Sequence, residues 1–224
     1  MSKLVLMRHG ESTANYTKTF TGWSDVSLTK KGKADARMAG QLIKDTQILF
    51  DGAHTSYLKR AIETENLVLE EINQLYISQF KTWRLNERHY GALRGKQKAT
   101  VKEQVGENQF KEWRRSFTAV PPQLENVAET RRYRQAGIKE PRAESLEMAY
   151  NRLIPYWIDQ LAPALKVGKN ELVVAHGSSL RALIKYLEKI DNQGIDGVEV
   201  ENTTPIIYTL DSNLNILNKE TLKN

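Results

Sequence analysis

The chain holds 224 residues, with 33 Lys and Arg against 27 Asp and Glu, a formal charge of +6 and no cysteine. That length suits one α/β domain with a sizeable core, and the lack of cysteine excludes disulfides and thiolate catalysis. The positive excess favours anionic ligands, but no basic run is interleaved with aromatics and no apolar run approaches the ~20 residues of a membrane helix, so neither a nucleic-acid nor a membrane partner is expected.

With Met1-Ser2-Lys3 leading at once into a strand, a cytoplasmic location is expected. The first element is Leu4-Val5-Leu6-Met7, a buried strand that runs into the corner Arg8-His9-Gly10. From Glu11 to Val26 the residues read as a loop returning to that strand's end. Thr29 is a plausible N-cap, with Leu28 as staple, for a helix over about 30 to 45 whose buried stripe is Ala39, Leu42 and Ile43. Phe50 to Thr55 reads as a second strand, and Ser56 as the cap of a helix over about 57 to 73. Leu58, Ile62, Leu69 and Ile72 keep helical spacing in it, and Arg60 sits near its start.

Ile77 to Trp83 reads as a third strand. Arg84-Leu85-Asn86-Glu87-Arg88-His89-Tyr90-Gly91 follows as a loop dense in ionisable groups, which marks it as functional. Two short helices are expected between about 96 and 117, the second carrying Trp113-Arg114-Arg115. At about 118 to 142 periodicity is lost while Arg131, Arg132, Arg134 and Arg142 accumulate, a basic, lid-like excursion within a single domain spanning 1 to 224.

A long helix then places Leu146, Ala149, Tyr150, Leu153, Ile154, Trp157, Ile158 and Leu161 on one face, with Pro155 bending it or exposing a carbonyl. Leu172-Val173-Val174-Ala175 delivers a second corner, His176-Gly177-Ser178, and a helix follows with Leu180, Leu183, Ile184 and Leu187 inward. Ile206 to Leu210 and Leu214 to Leu217 supply edge strands. The alternation predicts a single open, mostly parallel α/β sheet covered by helices on both faces, with ligands bound beyond the carboxyl ends of its strands.

Either His9 or His176 alone reads as a structural histidine; their shared strand-His-Gly setting, with only four histidines in the chain, points to one pocket. Two histidines, Arg8, Arg60 and Glu87, without cysteine or an HExxH or DxD pattern, do not make a metal site, so no metal is expected. Several arginines call for phosphate or carboxylate, and a neutral imidazole beside a phosphoryl group can attack phosphorus.

The segments Leu6-Met7-Arg8-His9-Gly10-Glu11-Ser12, Thr21-Gly22-Trp23, Leu58-Lys59-Arg60-Ala61-Ile62, Leu85-Asn86-Glu87-Arg88-His89-Tyr90-Gly91, Trp113-Arg114-Arg115 and Ala175-His176-Gly177 together resemble the 2,3-bisphosphoglycerate-dependent phosphoglycerate mutases of the histidine phosphatase superfamily. The resemblance runs in order over nearly the whole chain. It implies interconversion of 3- and 2-phosphoglycerate in glycolysis and gluconeogenesis, primed by 2,3-bisphosphoglycerate, through a phosphohistidine at His9. His176, Arg8 and Arg60 would stabilise the phosphoryl group and Glu87 would carry the hydroxyl proton. Asn15, Thr21, Gly22, Arg88, Tyr90, Lys98, Arg114, Arg115, Gly177 and Ser178 would bind the phosphorylated three-carbon acid. A homodimer is implied as possible, the third strand being a candidate pairing edge.

Three departures stand out. Ser178 replaces the usual Asn, the excursion is shorter than in many relatives, and Asn202-Thr203-Thr204-Pro205 lacks the usual Thr-Gly, with the chain stopping at Asn224. A looser lid admits water, so the alternative is a histidine-type phosphatase acting on small phosphoesters.

Overall fold

The computed structural model describes residues 1–127 and 129–223. Its elements run β1 (Ser2–Arg8), α1 (Thr13–Tyr16), α2 (Lys30–Asp45), β2 (Gly52–Thr55), α3 (Lys59–Glu71), β3 (Ser78–Lys81), α4 (Lys98–Val105), α5 (Glu107–Arg115), α6 (Arg131–Arg134), α7 (Leu146–Tyr156), α8 (Ala162–Lys166), β4 (Glu171–Ala175), α9 (Gly177–Leu187), β5 (Ile206–Leu210) and β6 (Ile216–Thr221). The six strands form one sheet in the order β3-β2-β4-β1-β5-β6. β3, β2, β4 and β1 are mutually parallel, and β5 and β6 close one side as antiparallel partners. The expected mostly parallel α/β sheet is therefore present.

Strand alternation divides the core between the two faces. Leu4, Leu6, Val173 and Ala175 point to one side, where Leu153, Trp157, Leu161, Leu180, Leu183 and Ile184 cover them. Val5, Met7, Leu172 and Val174 point to the other, against Ala39 and Ile43 of α2 and Val68 and Leu69 of α3. Each such fully buried side chain contributes about 1.5–3 kcal/mol over leaving it in water, which fixes the central strands and hence both corners at their ends.

Several elements follow the sequence expectation closely. α2 starts after Thr29, whose hydroxyl accepts from Gly32 N at 2.9 Å. The start of α2 also explains the first corner's glycine. A Cβ on Gly10 would run into the Gly32 carbonyl, and one on Gly32 into the Glu11 carbonyl, so corner and helix touch backbone to backbone.

Other expectations need correction. α3 begins at Lys59 rather than 57, and Ser56 does not cap it: the N-cap is Leu58, without a side-chain bond, while the Ser56 hydroxyl accepts from Leu58 N and meets His176. Its buried face holds Thr64 and Glu65 beside Val68 and Leu69, and Ile62 is only partly covered. The third strand is shorter than Ile77 to Trp83, because Thr82 caps a 3₁₀ turn over Trp83–Leu85. A short helix, α1, occupies part of the expected loop, capped by Ser12. The long late helix is interrupted: after Pro155 the chain makes a π turn over Trp157–Leu161, which shifts the face and leaves Ile158 55% exposed.

Among the described residues from 118 to 142 the one regular element is the α6 turn, and the segment is tied to the loop after β3. Tyr133 receives the Asn86 amide at 2.9 Å and packs on Trp23, while Glu140 accepts from His89 and Arg94 at 3.1 and 2.8 Å. Among the described residues no helix is long and apolar enough to cross a membrane.

Candidate active site

Parallel strands β1, β2 and β4 end on one edge, and the turns leaving them deliver Arg8-His9, Ser56 to Arg60 and His176 to the same place. A cavity of about 470 Å³ opens there. It is lined by the expected residues Arg8, His9, Asn15, Thr21, Gly22, Arg60, Glu87, Tyr90, Lys98, Arg114, Arg115, Gly177 and Ser178.

His9 is buried, and its surroundings define its tautomer. Arg60 Nε, which can only donate, points at His9 Nε2 at 3.3 Å, so Nε2 holds a lone pair and the ring proton sits on Nδ1, directed to the Gly10 carbonyl at 2.7 Å. Burial, then the charges of Arg60 and Arg8, hold the His9 pKa well below its ordinary value, so the ring is neutral at physiological pH. Arg60 is itself 1% exposed and donates to Ser24 O at 2.8 Å and Gly22 O at 2.9 Å; burial brings its pKa down to about 10, leaving it charged. Arg8 donates to Val200 O at 2.9 Å.

His176 lies with its ring 5.0 Å from that of His9 and its Nε2 2.7 Å from Ser56 Oγ. Burial, then Arg60, lowers its pKa well below the usual imidazole value as well. It is fully buried beside His9 and does not itself line the cavity.

Glu87 faces the same cavity from the loop after β3. One carboxylate oxygen accepts from the backbone N–H of Arg88 at 2.8 Å and of Ser178 at 3.0 Å, the latter in the first turn of α9, where the helix dipole favours negative charge. Arg152 fixes the peptide that carries it. That buried guanidinium donates to the carbonyls of Arg84, Asn86 and Glu87 at 2.6, 2.9 and 3.1 Å and pairs with Glu144, which in turn accepts from His89 N at 2.8 Å. Trp23 Nε1 adds a bond to the Glu87 carbonyl at 2.6 Å.

Across the cavity stand Lys98 at the start of α4 and Arg114 and Arg115 at the end of α5, all partly exposed. Arg115 pairs with Glu199 at 2.5 Å. Arg88 lies behind this wall, fully buried, its guanidinium 4.6 Å over the Tyr90 ring and bonded to Arg114 O at 3.1 Å. Burial, the largest influence, would raise the Tyr90 phenol, but the charge and hydrogen bond of Arg88 together with a hydrogen bond from Ser178 hold its pKa below the ordinary value. Among the described residues no group of three or more His, Asp or Glu side chains converges as a metal site.

Sequence reasoning missed several contributors. Ser12, Thr19, Phe20, Arg181 and the segment 198 to 202 also line the cavity. Arg181 left one trace: a cation next to Leu180 on the inward face of an apolar helix. It donates to Ile195 O at 2.6 Å and braces the distal wall. Asn202 stands out only as part of a segment that departs from the family pattern; its role comes from a backbone it meets only in three dimensions.

The arrangement is a neutral imidazole beside two arginines, a carboxylate aimed by backbone donors, and a further set of cations lining the same cavity. Such a set can accept a phosphoryl group and hold a small dianion or trianion while it does so. The sequence profile of the Histidine phosphatase superfamily (branch 1) matches residues 4–136 and 128–220. The chain is 53% identical over 220 residues, 98% of this chain and 94% of the relative, to the 2,3-bisphosphoglycerate-dependent phosphoglycerate mutase 1 of Latilactobacillus sakei subsp. sakei (strain 23K). It is 47% identical to the enzyme of that description from Lactobacillus acidophilus, covering 99% of both chains. Among solved structures it is similar to a phosphoglycerate mutase from Bacillus anthracis, at 28% identity and a TM-score of 0.68 over 99% of this chain and 92% of that one. A mycobacterial glucosyl-3-phosphoglycerate phosphatase shares the fold at 22% identity and a TM-score of 0.73, over 92% of each chain.

Proposed function

The chain belongs to branch 1 of the histidine phosphatase superfamily and, within it, to the 2,3-bisphosphoglycerate-dependent phosphoglycerate mutases, and from that premise we propose a phosphoryl-transfer route through His9. The reaction is the interconversion of 3-phosphoglycerate and 2-phosphoglycerate, primed by 2,3-bisphosphoglycerate, a step of glycolysis and gluconeogenesis.

His9 Nε2 attacks a phosphorus of 2,3-bisphosphoglycerate. The N–P bond forms as the P–O bond to the glycerate breaks, and the leaving oxygen takes a proton from Glu87. In the reverse half, a phosphoglycerate hydroxyl gives its proton to Glu87 and attacks the phosphohistidine. Arg8, Arg60 and His176 stabilise charge on the phosphoryl oxygens in both directions, and Asn15, Thr21 and Gly22 line the phosphoryl end. Lys98, Arg114 and Arg115, with Tyr90, Gly177 and Ser178, hold the carboxylate and distal phosphate; Arg88 acts on them through Tyr90 and the Arg114 carbonyl. Two cationic walls suit a mutase, whose bisphosphorylated intermediate must stay bound while it reorients.

The observation that carries this reading is the lone pair on His9 Nε2, exposed by the Nδ1–Gly10 bond and flanked by Arg60. The test follows 3-phosphoglycerate conversion in EDTA with and without 2,3-bisphosphoglycerate. Conversion should need the primer, and His9→Ala should lower it by about 10⁴-fold or more. Activity that requires manganese, or that survives His9→Ala, refutes the route; faster phosphate release from unrelated phosphoesters than isomerisation selects the phosphatase alternative.

A cytoplasmic location, beside its substrates, agrees with the cysteine-free composition. A homodimer through the β3 edge is supported by the outermost place of β3 in the sheet and by exposed Tyr76 and Phe80 beside it.

A further inference from the structure

The sheet stops supporting β1 at Arg8, one residue before the nucleophile, so His9 must be held by something else. Its N–H is taken by the Ala175 carbonyl at 3.0 Å, and the next N–H, of Gly10, by Thr64 Oγ1 at 3.0 Å. The His9 carbonyl has run past the last rung of the β1–β5 ladder, which ends at the Leu6–Ile206 pair. The Asn202 side chain takes the place of the missing backbone donor, its Nδ2 donating to His9 O at 2.6 Å. The neighbours of Asn202 grip the residue before: Thr203 N donates to Arg8 O at 2.9 Å, and Val200 O accepts from Arg8 Nη1 at 2.9 Å. Residues 200 to 203 therefore close on the Arg8–His9 corner from the side opposite β4.

The grip is built at a conformational cost. Thr203 has φ of 53°, in the left-handed region that a β-branched residue rarely enters, and surroundings that over-determine it are needed to keep it there. That backbone turn is what brings the Asn202 side chain and the Thr203 N–H onto adjacent carbonyls of the same corner.

We propose that Asn202 is a positioning residue for phosphoryl transfer: by holding the His9 carbonyl it fixes the peptide from which the imidazole is aimed, and the Thr203 turn keeps it in register. This inference rests on the reading of His9 as the phosphoryl acceptor. Asn202 acts through His9, and its amide is committed to the protein backbone rather than to an anion. Removing it changes how often Nε2 is in line with phosphorus and leaves both cationic walls in place.

The experiment measures phosphohistidine formation by rapid quench after mixing enzyme with labelled 2,3-bisphosphoglycerate, together with steady-state kinetics and melting temperature. Asn202→Ala should slow phosphohistidine formation and kcat by about tenfold, with KM for 3-phosphoglycerate changed less than about threefold. Asn202→Asp is nearly isosteric and preserves packing, but turns a carboxylate toward the His9 carbonyl, so it should be slower than Asn202→Ala. Wild-type rates in the folded Asp variant, or a rise in KM that accounts for the whole loss in either variant, overturns the inference. Absence of label on His9 in the wild-type enzyme would instead overturn the underlying reading of the site.

Discussion

The two cationic walls of the cavity are built differently. Around His9, the cations and imidazoles are already bonded to protein, and all but the half-buried Arg8 are buried: Arg60 to two carbonyls and His9 itself, Arg8 to Val200, His176 to Ser56. Across the cavity, Lys98, Arg114 and Arg115 are partly open to solvent, and Arg115 is held by a glutamate that is itself 69% exposed on its side chain. In the route proposed above, the first wall meets one phosphoryl group in one geometry, where fixed dipoles cost no reorganisation. The second would hold the other end of a ligand that presents first one phosphate and then the other, which adjustable side chains on two helix ends permit.

The contrast is tested most severely on the rigid side. Arg60→Met removes the donor to His9 Nε2 and leaves the Gly22 and Ser24 carbonyls unpaired. It should lower kcat by about 10³-fold with a smaller change in KM, read from steady-state kinetics. On the adjustable side the split reverses: Arg115→Ala should raise KM for 3-phosphoglycerate by about tenfold while kcat moves less than about threefold. Glu199→Gln frees Arg115 and should lower KM about twofold at low salt, an effect that fades as ionic strength rises. Equal kcat losses from both walls would remove the distinction between them.

The smallest effect on catalysis is expected beneath the rigid wall. Glu65 is fully buried in α3, next to the Thr64 that holds Gly10, and among the described residues neither of its oxygens has a hydrogen-bond partner. The nearby Thr55 hydroxyl is spent on Val174 O at 2.8 Å. Burial pushes the Glu65 carboxyl up to about 8, against the weaker opposing pull of Lys81. An acid whose pKa is raised on folding binds its proton more tightly in the native state, so its contribution to stability is intact below the unfolded value and is lost as pH climbs through the folded one. Wild-type stability should accordingly decline between about pH 5 and pH 8 through this residue. Glu65→Leu should leave kcat within about twofold and stabilise the fold by on the order of 3 kcal/mol at pH 9 and far less at pH 5, measured by thermal unfolding at both values. A pH-independent gain would mean the carboxyl is solvated after all.

What could be read from the sequence follows the range of the forces involved. The corner strands, the Thr29 cap and the inward stripe of α9 are local patterns, and they stand where periodicity and capping chemistry put them. His9, His176 and Glu87 stand out by their setting at strand ends and in a charged loop, whereas Asn15, Thr21, Gly22, Lys98, Arg114 and Arg115 are singled out by the family resemblance alone. The Ser56 hydroxyl looked like a cap because the signature is local, yet it serves an imidazole 120 residues away. Ile158 fitted a 3.6-residue stripe that the π turn after Pro155 breaks. Arg152, Arg181, Asn202 and Glu65 owe their roles to partners brought by tertiary packing, and nothing in their immediate sequence says which partners those are.

The placement of β1 inside the sheet has a consequence for how the protein is made. β1 lies between β4 and β5 and precedes both by most of the chain, so that Lys3 N bonds to Asn170 Oδ1 across 167 residues. Until residues near 171 emerge from the ribosome this buried apolar strand has neither neighbour, and until residues near 206 emerge it has only one. His9 is thus synthesised long before the strands that hold its corner, and a nascent chain halted between β4 and β5 would display an unpaired Leu-Val-Leu-Met edge as a target for chaperones.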